Sequence, residues 1–155
     1  MDYSKIMLAL DLAVKAHNVQ QRRGVIGAYI HHPVAVARMV FKAGLSEDVV
    51  IAAILHDTVE DTWVTIEHLM CLDWVSDRVI ALVYGMTKQE ARGETSSGAL
   101  ARVIESGDKE LICIKLFDVA HNLQVAPGDY WPGMEESLIS YRARTKKLLV
   151  ALKKV

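Results

Sequence analysis

Apolar residues recur every three or four positions along almost the whole chain, and Gly, Pro and small polar clusters interrupt them. That period predicts helix after helix and no sheet. Ser4 is placed to cap a first helix running to about Arg22, with Ile6, Leu10, Ala13, Val14 and His17 on one side. A loop with two glycines, Gly24 to Ala28, follows. Pro33 suits the first turn of a second helix through Val34, Val36, Ala37, Val40 and Phe41, stopping at Gly44. Ser46 caps a third, with Glu47 and Asp48 in its favourable first turn. A short helix opens at Thr65, and another spans Val75 to Tyr84 and closes at Gly85. Glu94 to Gly98 reads as a polar loop before a helix from Ala99 to Glu105 that ends at Gly107. Asp108 caps a long helix from Lys109 to about Val125. A turn-rich stretch from Pro127 to Gly133 leads to a last helix, Glu135 to Lys154, with Leu138, Tyr141, Leu148 and Leu149 inward and Arg142, Arg144, Lys146 and Lys147 outward.

The expected fold is therefore all-α, a compact helical bundle forming one domain over residues 1–155. Apolar residues make up 52% and charged residues 24%, the balance of an ordinary globular protein. A net charge of −1 supplies no field for DNA, RNA or membrane, so phosphate binding would need a local cluster of bases. No apolar run approaches the ~18 residues of a membrane span. Cys71 and Cys113 have no metal or redox spacing and read as reduced thiols of a cytoplasmic protein.

Three places break the pattern. The third helix ends in His56-Asp57-Thr58-Val59-Glu60-Asp61-Thr62, where Asp57, Glu60 and Asp61 crowd like charges at i, i+3 and i+4. No Lys or Arg occurs from Ala43 to Asp77 to relieve them. These acids are either a solvated face or the edge of a cation site. Next, Asp118 stands in the middle of an almost wholly apolar helix, where a carboxylate is costly unless paired or bound to a metal. Lys115 is one available partner and a metal is another. Finally, His32 directly precedes Pro33, from where its ring can reach inward, although His31-His32 can also be a surface pair. Taken together, His32, His56, Asp57 and Asp118 form a two-imidazole, two-carboxylate set suited to Mn, Fe, Co or Zn.

The order His…His-Asp…Asp on helices resembles the HD-domain metal phosphohydrolases. More closely, it resembles the small alarmone hydrolases and the hydrolase domain of the bifunctional stringent-response enzymes. The matching pieces are Ala16-His17-x-x-Gln20-x-Arg22-Arg23, Tyr29-Ile30-x-His32-Pro33, Ala53-x-Leu55-His56-Asp57-Thr58-Val59-Glu60-Asp61-Thr62, Met86-Thr87-Lys88 and Ile114-Lys115-Leu116-x-Asp118-x-x-x-Asn122-Leu123. They occur in family order over residues 16–123, about 70% of the chain.

The resemblance implies that His32, His56, Asp57 and Asp118 hold one divalent ion, usually Mn2+. It implies that Glu60 and Asp61 position or deprotonate the attacking water. Asn122 would contact the nucleotide, Arg22 would stack on guanine, and Arg23 stands where Lys is usual. The implied reaction removes the 3′-diphosphate of guanosine tetra- or pentaphosphate and releases pyrophosphate. Two alternatives remain: an HD phosphohydrolase of another nucleotide, or a metal-holding sensor or antitoxin partner with little turnover. The chain departs from the family at Ala28, where Pro is common, at Val119, where a polar residue is usual, and at Gln124-Val125-Ala126-Pro127. Fewer polar groups then face a guanine edge, which implies weak discrimination between bases.

Overall fold

The computed structural model describes residues 3–21, 28–124 and 133–155. Its centre is α3 (Glu47–Leu55), in which every residue from Val49 to Leu55 is buried. A helix that is apolar all round has no face for water and must be enclosed. The enclosing elements are α1 (Tyr3–Ala16), α2 (His31–Lys42), α6 (Asp77–Met86) and α8 (Lys109–Asn122), all packed against α3. Two short helices, α4 (Thr58–Asp61) and α5 (Ile66–Met70), carry the chain from α3 to α6. α7 (Ser96–Glu105) bridges α6, α8 and α9 (Met134–Leu152), and α9 lies along α8. Among the described residues the architecture is all-α, as the periodicity predicts; an isolated bridge pairs Gln21 with Ala28. No helix among these residues is long and apolar enough to cross a membrane.

Several element ends differ from the sequence reading. α1 stops at Ala16 rather than near Arg22, because the chain turns at His17 and Tyr29 N–H bonds Gln20 O at 2.9 Å. Gly85 does not end α6 but sits inside it. A Cβ there would lie 2.7 Å from Leu111 Cδ2, so glycine permits the close approach of α6 and α8. Gly98 likewise lies within α7, which begins at Ser96 because Thr95 caps it, accepting from Gly98 N–H at 3.1 Å. α8 closes at Asn122; Asp108 caps its start as expected, accepting from the Glu110 and Leu111 amides. Val14, Val34, Phe41 and Leu149, expected inside, are exposed, while Ala9 and Ala151 take up buried positions instead. Gly24 to Gly27, Val125 and the stretch from Pro127 to Pro132 lie outside the described residues.

Candidate metal centre

The helix break after Leu55 creates the site. His56 closes α3 and Asp57 opens α4, so the chain turns where both side chains face α2 and α8. Two threonines hold the turn: Thr58 Oγ1 donates to Leu55 O at 2.7 Å, and Thr62 Oγ1 to Thr58 O at 2.6 Å. His56 Nδ1 lies 2.8 Å from Ala53 O and donates to it. That bond leaves Nε2 to face the site, the usual way a ligating imidazole is oriented.

Into the same space come His32, from the first turn of α2, and Asp118, from the middle of α8. His32 Nε2 is 3.3 Å from Asp118 Oδ1 and 3.5 Å from Asp57 Oδ2; His56 Nε2 is 3.1 Å from Asp57 Oδ1. Donor atoms of His32, His56 and Asp118 all lie within 4.8 Å of one another, and the three residues are buried. Ligands at about 2.0–2.2 Å from one ion are spaced about 3.0–3.5 Å apart, so these separations suit a shared cation. The decisive detail is His56 Nε2, a buried nitrogen that has no well-aligned hydrogen bond and lies 3.1 Å from Asp57 Oδ1, facing carboxylate oxygens. The residues present therefore fit a divalent metal. Burial opposes charge on His56, yet the Asp57 and Asp118 carboxylates hold its pKa up at about 9. Burial would raise Asp118, but Lys115 and then His32 and His56 keep its carboxyl well below the usual range. Metal binding in such a site displaces a proton.

Asp118 has the Lys115 partner of one reading and an oxygen turned to the imidazoles of the other. Its Oδ2 pairs with Lys115 Nζ at 2.9 Å, while Oδ1 faces His32 and accepts from Asn122 Nδ2 at 2.8 Å. Two groups absent from the sequence reading complete the surroundings. His121 Nδ1 lies 2.8 Å from His32 Nδ1 and orients that ring; its i+3 position from Asp118 on one helix face was the available signal. Tyr29 donates to Asp57 Oδ2 at 2.6 Å and lies 3.0 Å from Asp61 Oδ2, bridging the buried set and the outer acids. Tyr29 stands in the quoted Tyr-Ile-x-His-Pro motif, but nothing in its spacing marks that role. Burial, then Asp57 and Asp61, hold its phenol far above the ordinary range.

The outer pair is exposed, and its two members have different partners. Glu60 Oε2 accepts the Lys88 backbone N–H at 2.9 Å. Asp61 is raised by burial and by the charge of Asp57. Beside them a cleft of about 160 Å³ is lined by Glu60, Lys88, Lys115, Asp118, Asn122 and Arg144. Arg22 and Arg23 lie outside the described residues.

A profile of the HD domain matches residues 9–128, most of the chain. The chain belongs to the HD-domain family. This HD domain is 35% identical over 128 residues to a probable GTP pyrophosphokinase of Mycobacterium leprae, covering 78% of the chain but only 16% of that protein. It is 42% identical over 69 residues to the human guanosine-3′,5′-bis(diphosphate) 3′-pyrophosphohydrolase MESH1, covering 43% of the chain and 38% of the relative. The HD domain thus spans well under half the length of these curated relatives. A solved structure described as a metazoan ortholog of SpoT that hydrolyses ppGpp superposes with a TM-score of 0.75 at 28% identity, covering 96% of this chain and 85% of that one.

Proposed function

We propose that this HD domain is a metal-dependent 3′-pyrophosphohydrolase of guanosine tetra- or pentaphosphate. The observation that carries the reading is the convergence of His32, His56 and Asp118 donors within 4.8 Å, with Asp57 against His56 Nε2 and the acids Glu60 and Asp61 beside them. The names of its relatives supply the substrate class. The four residues would hold one divalent ion, Mn2+ in this reading, which when bound supplies Lewis-acid stabilisation of phosphoryl oxygen and a more acidic water.

The remaining work falls to side chains of the chain itself. Glu60, fixed by the Lys88 amide, takes the proton of the attacking water as its oxygen adds to the phosphorus joined to the ribose 3′-oxygen. That P–O bond breaks, pyrophosphate leaves, and the 3′-oxygen takes up a proton as GDP or GTP departs. Asp61, held against Tyr29, orients the water. Lys88, Lys115 and Arg144 offset phosphate charge in the cleft, and Asn122 meets the nucleotide there. Arg22 stacks on the base through its planar guanidinium, and Arg23 meets phosphate. The domain is proposed to be one unit over residues 1–155 that takes a free nucleotide rather than DNA, RNA or a membrane.

Val119, buried on the cleft wall where a polar residue is usual, favours a second reading in which another nucleotide is cleaved. One assay separates the two: pyrophosphate release from guanosine tetraphosphate with manganese, beside a panel of other nucleotides. Release from the guanosine compound supports the proposal. Cleavage of a different nucleotide alone moves it to the second reading, and no cleavage of any nucleotide by metal-loaded protein overturns both.

A further inference from the structure

The segment 87–89, between α6 and the 3-10 turn at Glu90–Arg92, has no regular structure to hold it. It nevertheless supplies two groups to the cleft: the Lys88 side chain and the amide that fixes Glu60. Short irregular segments at a site are mobile unless side chains tie them down. Thr87 Oγ1 donates to Val83 O at 2.9 Å and the Glu94 amide to Gln89 O at 3.2 Å, and one guanidinium links these local ties together. Arg102, from α7, donates from Nη1 to Gly85 O at 2.9 Å and from Nη2 to Thr87 O at 2.9 Å. It also forks onto Glu94, Nε to Oε1 at 2.9 Å and Nη2 to Oε2 at 3.1 Å. Glu94 Oε2 in turn accepts the Gln89 amide at 2.7 Å. The backbone is therefore held on both sides of Lys88, by Thr87 O and by Gln89 N–H. With both neighbours fixed, the Lys88 N–H has one direction, and Glu60 Oε2 lies along it.

The contacts use Arg102 as a planar fork and not as a point charge. Two N–H groups address carbonyls of one stretch of chain and two address the carboxylate that holds the same chain two residues further on. Lys has a single ammonium centre and cannot span these four acceptors in one plane. Glu94 is only 14% exposed on its side chain, so the pair is sheltered and geometrically defined. Ordinary helix-surface pairing does not require this: Arg102 and Glu94 are eight positions apart and lie on different elements.

We infer that Arg102, with Glu94, is a positioning residue that aligns Glu60 for proton transfer by fixing the Lys88 amide. The inference rests on the proposed role of Glu60 as the base. Arg102 touches no substrate and no metal ligand; it acts through backbone. Misplacing a reacting group by a fraction of an ångström is costly in rate and leaves binding largely intact.

The test is a double-mutant cycle of Arg102→Lys and Glu60→Gln on the metal-loaded chain, with Glu94→Gln as a second way to loosen the brace. Arg102→Lys should lower kcat by about tenfold, a modest displacement of a positioned group, with KM changed by less than about threefold. On the Glu60→Gln background the same change should cost less than about twofold, because the group it aligns is already gone. Hydrogen exchange gives a readout that needs no turnover. In Arg102→Lys and Glu94→Gln the Lys88 and Gln89 amides should exchange faster, while amides in the middle of α3 keep their protection. Losses that multiply in the double mutant, or unchanged Lys88 exchange in both loosened variants, overturn the inference. Wild-type protein that cleaves nothing sinks the proposed function instead, and the exchange result then still decides whether the brace exists.

Discussion

Two clusters of charge sit on α8, one at its start and one further along it, and they are built on opposite plans. At its start, Arg78 of α6 binds Asp108 through paired bonds of 2.6 and 2.8 Å and also bonds Glu110, while Asp108 caps the helix. Each acid there has a donor and the guanidinium is shared between them, so the cluster is closed. Further along α8, Asp118 meets Asp57, His32 and His56, with Glu60 and Asp61 outside. Among the described residues the cation seen paired in this group is Lys115, on Asp118. Acids outnumber their cationic partners, and a buried His nitrogen is left facing them. A matched charge cluster fastens two helices. An unmatched one, held together by the rest of the fold, is a place for a cation from solution. The difference lies in whether the protein completes the set itself.

Removing a member should therefore have different consequences in the two clusters. The largest effect is expected for Asp118→Ala or Asp57→Ala. Elemental analysis should show metal content falling from about one ion per chain to near none, with turnover down by at least ~10³-fold, because a ligand of an N/O set is lost. Equal metal in wild type and Asp118→Ala would remove Asp118 from the site. Next comes Glu60→Gln, which should keep the fold and the metal and lose about 10²-fold in kcat, the scale of general-base removal. A near wild-type rate in that variant would make Glu60 a surface acid only.

A smaller effect concerns the base. Guanine and adenine 3′,5′-bis-diphosphates should differ in kcat/KM by no more than about tenfold, since Val119 offers the base no hydrogen bond. A preference of several thousandfold would reveal base-reading groups elsewhere in the cleft.

The smallest effect belongs to the closed cluster. Arg78→Met should cost about 1 kcal/mol in urea unfolding, because solvent reaches the pair and screens it, and metal content should be unchanged. Asp108 carries a pH signature. Hydrogen bonds from Arg78 hold its folded pKa below the ordinary carboxylate value. Its stabilising contribution is therefore full above that value and is lost as pH falls through the lower, folded one. Arg78→Met should flatten this acid-side loss, and an unchanged stability curve below pH ~4 would show that the pair contributes nothing.

Much of the fold was written locally. Helical period, the caps at Thr65 and Asp108, and the stops at Gly44 and Gly107 depend on neighbours within one turn, and these elements stand where the pattern places them; Ser46 takes the N-cap position of α3 without a capping side-chain bond. His32, His56 and Asp118 come together with Asp57 beside them: each is anomalous in its own segment, and a costly polar group is visible before its partners are known. Gly85 and Gly98 misled because glycine has two uses, ending a helix or admitting a neighbour, and only the packing partner distinguishes them. Val14, Phe41 and Leu149 misled because an apolar stripe is wider than the contact it makes.

The sequence by itself determined most of the helices, the family and which residues are candidates for a metal set, since all of these are properties of short segments. Only the tertiary structure decided how that set is oriented. His121 reaches His32 across 89 positions, Tyr29 reaches Asp57 across 28, and Arg102 reaches Thr87 across 15. The physical reason is that hydrogen bonds act over about 3 Å whatever the distance along the chain, and a linear pattern carries no information about which distant segments the packed core brings within that reach.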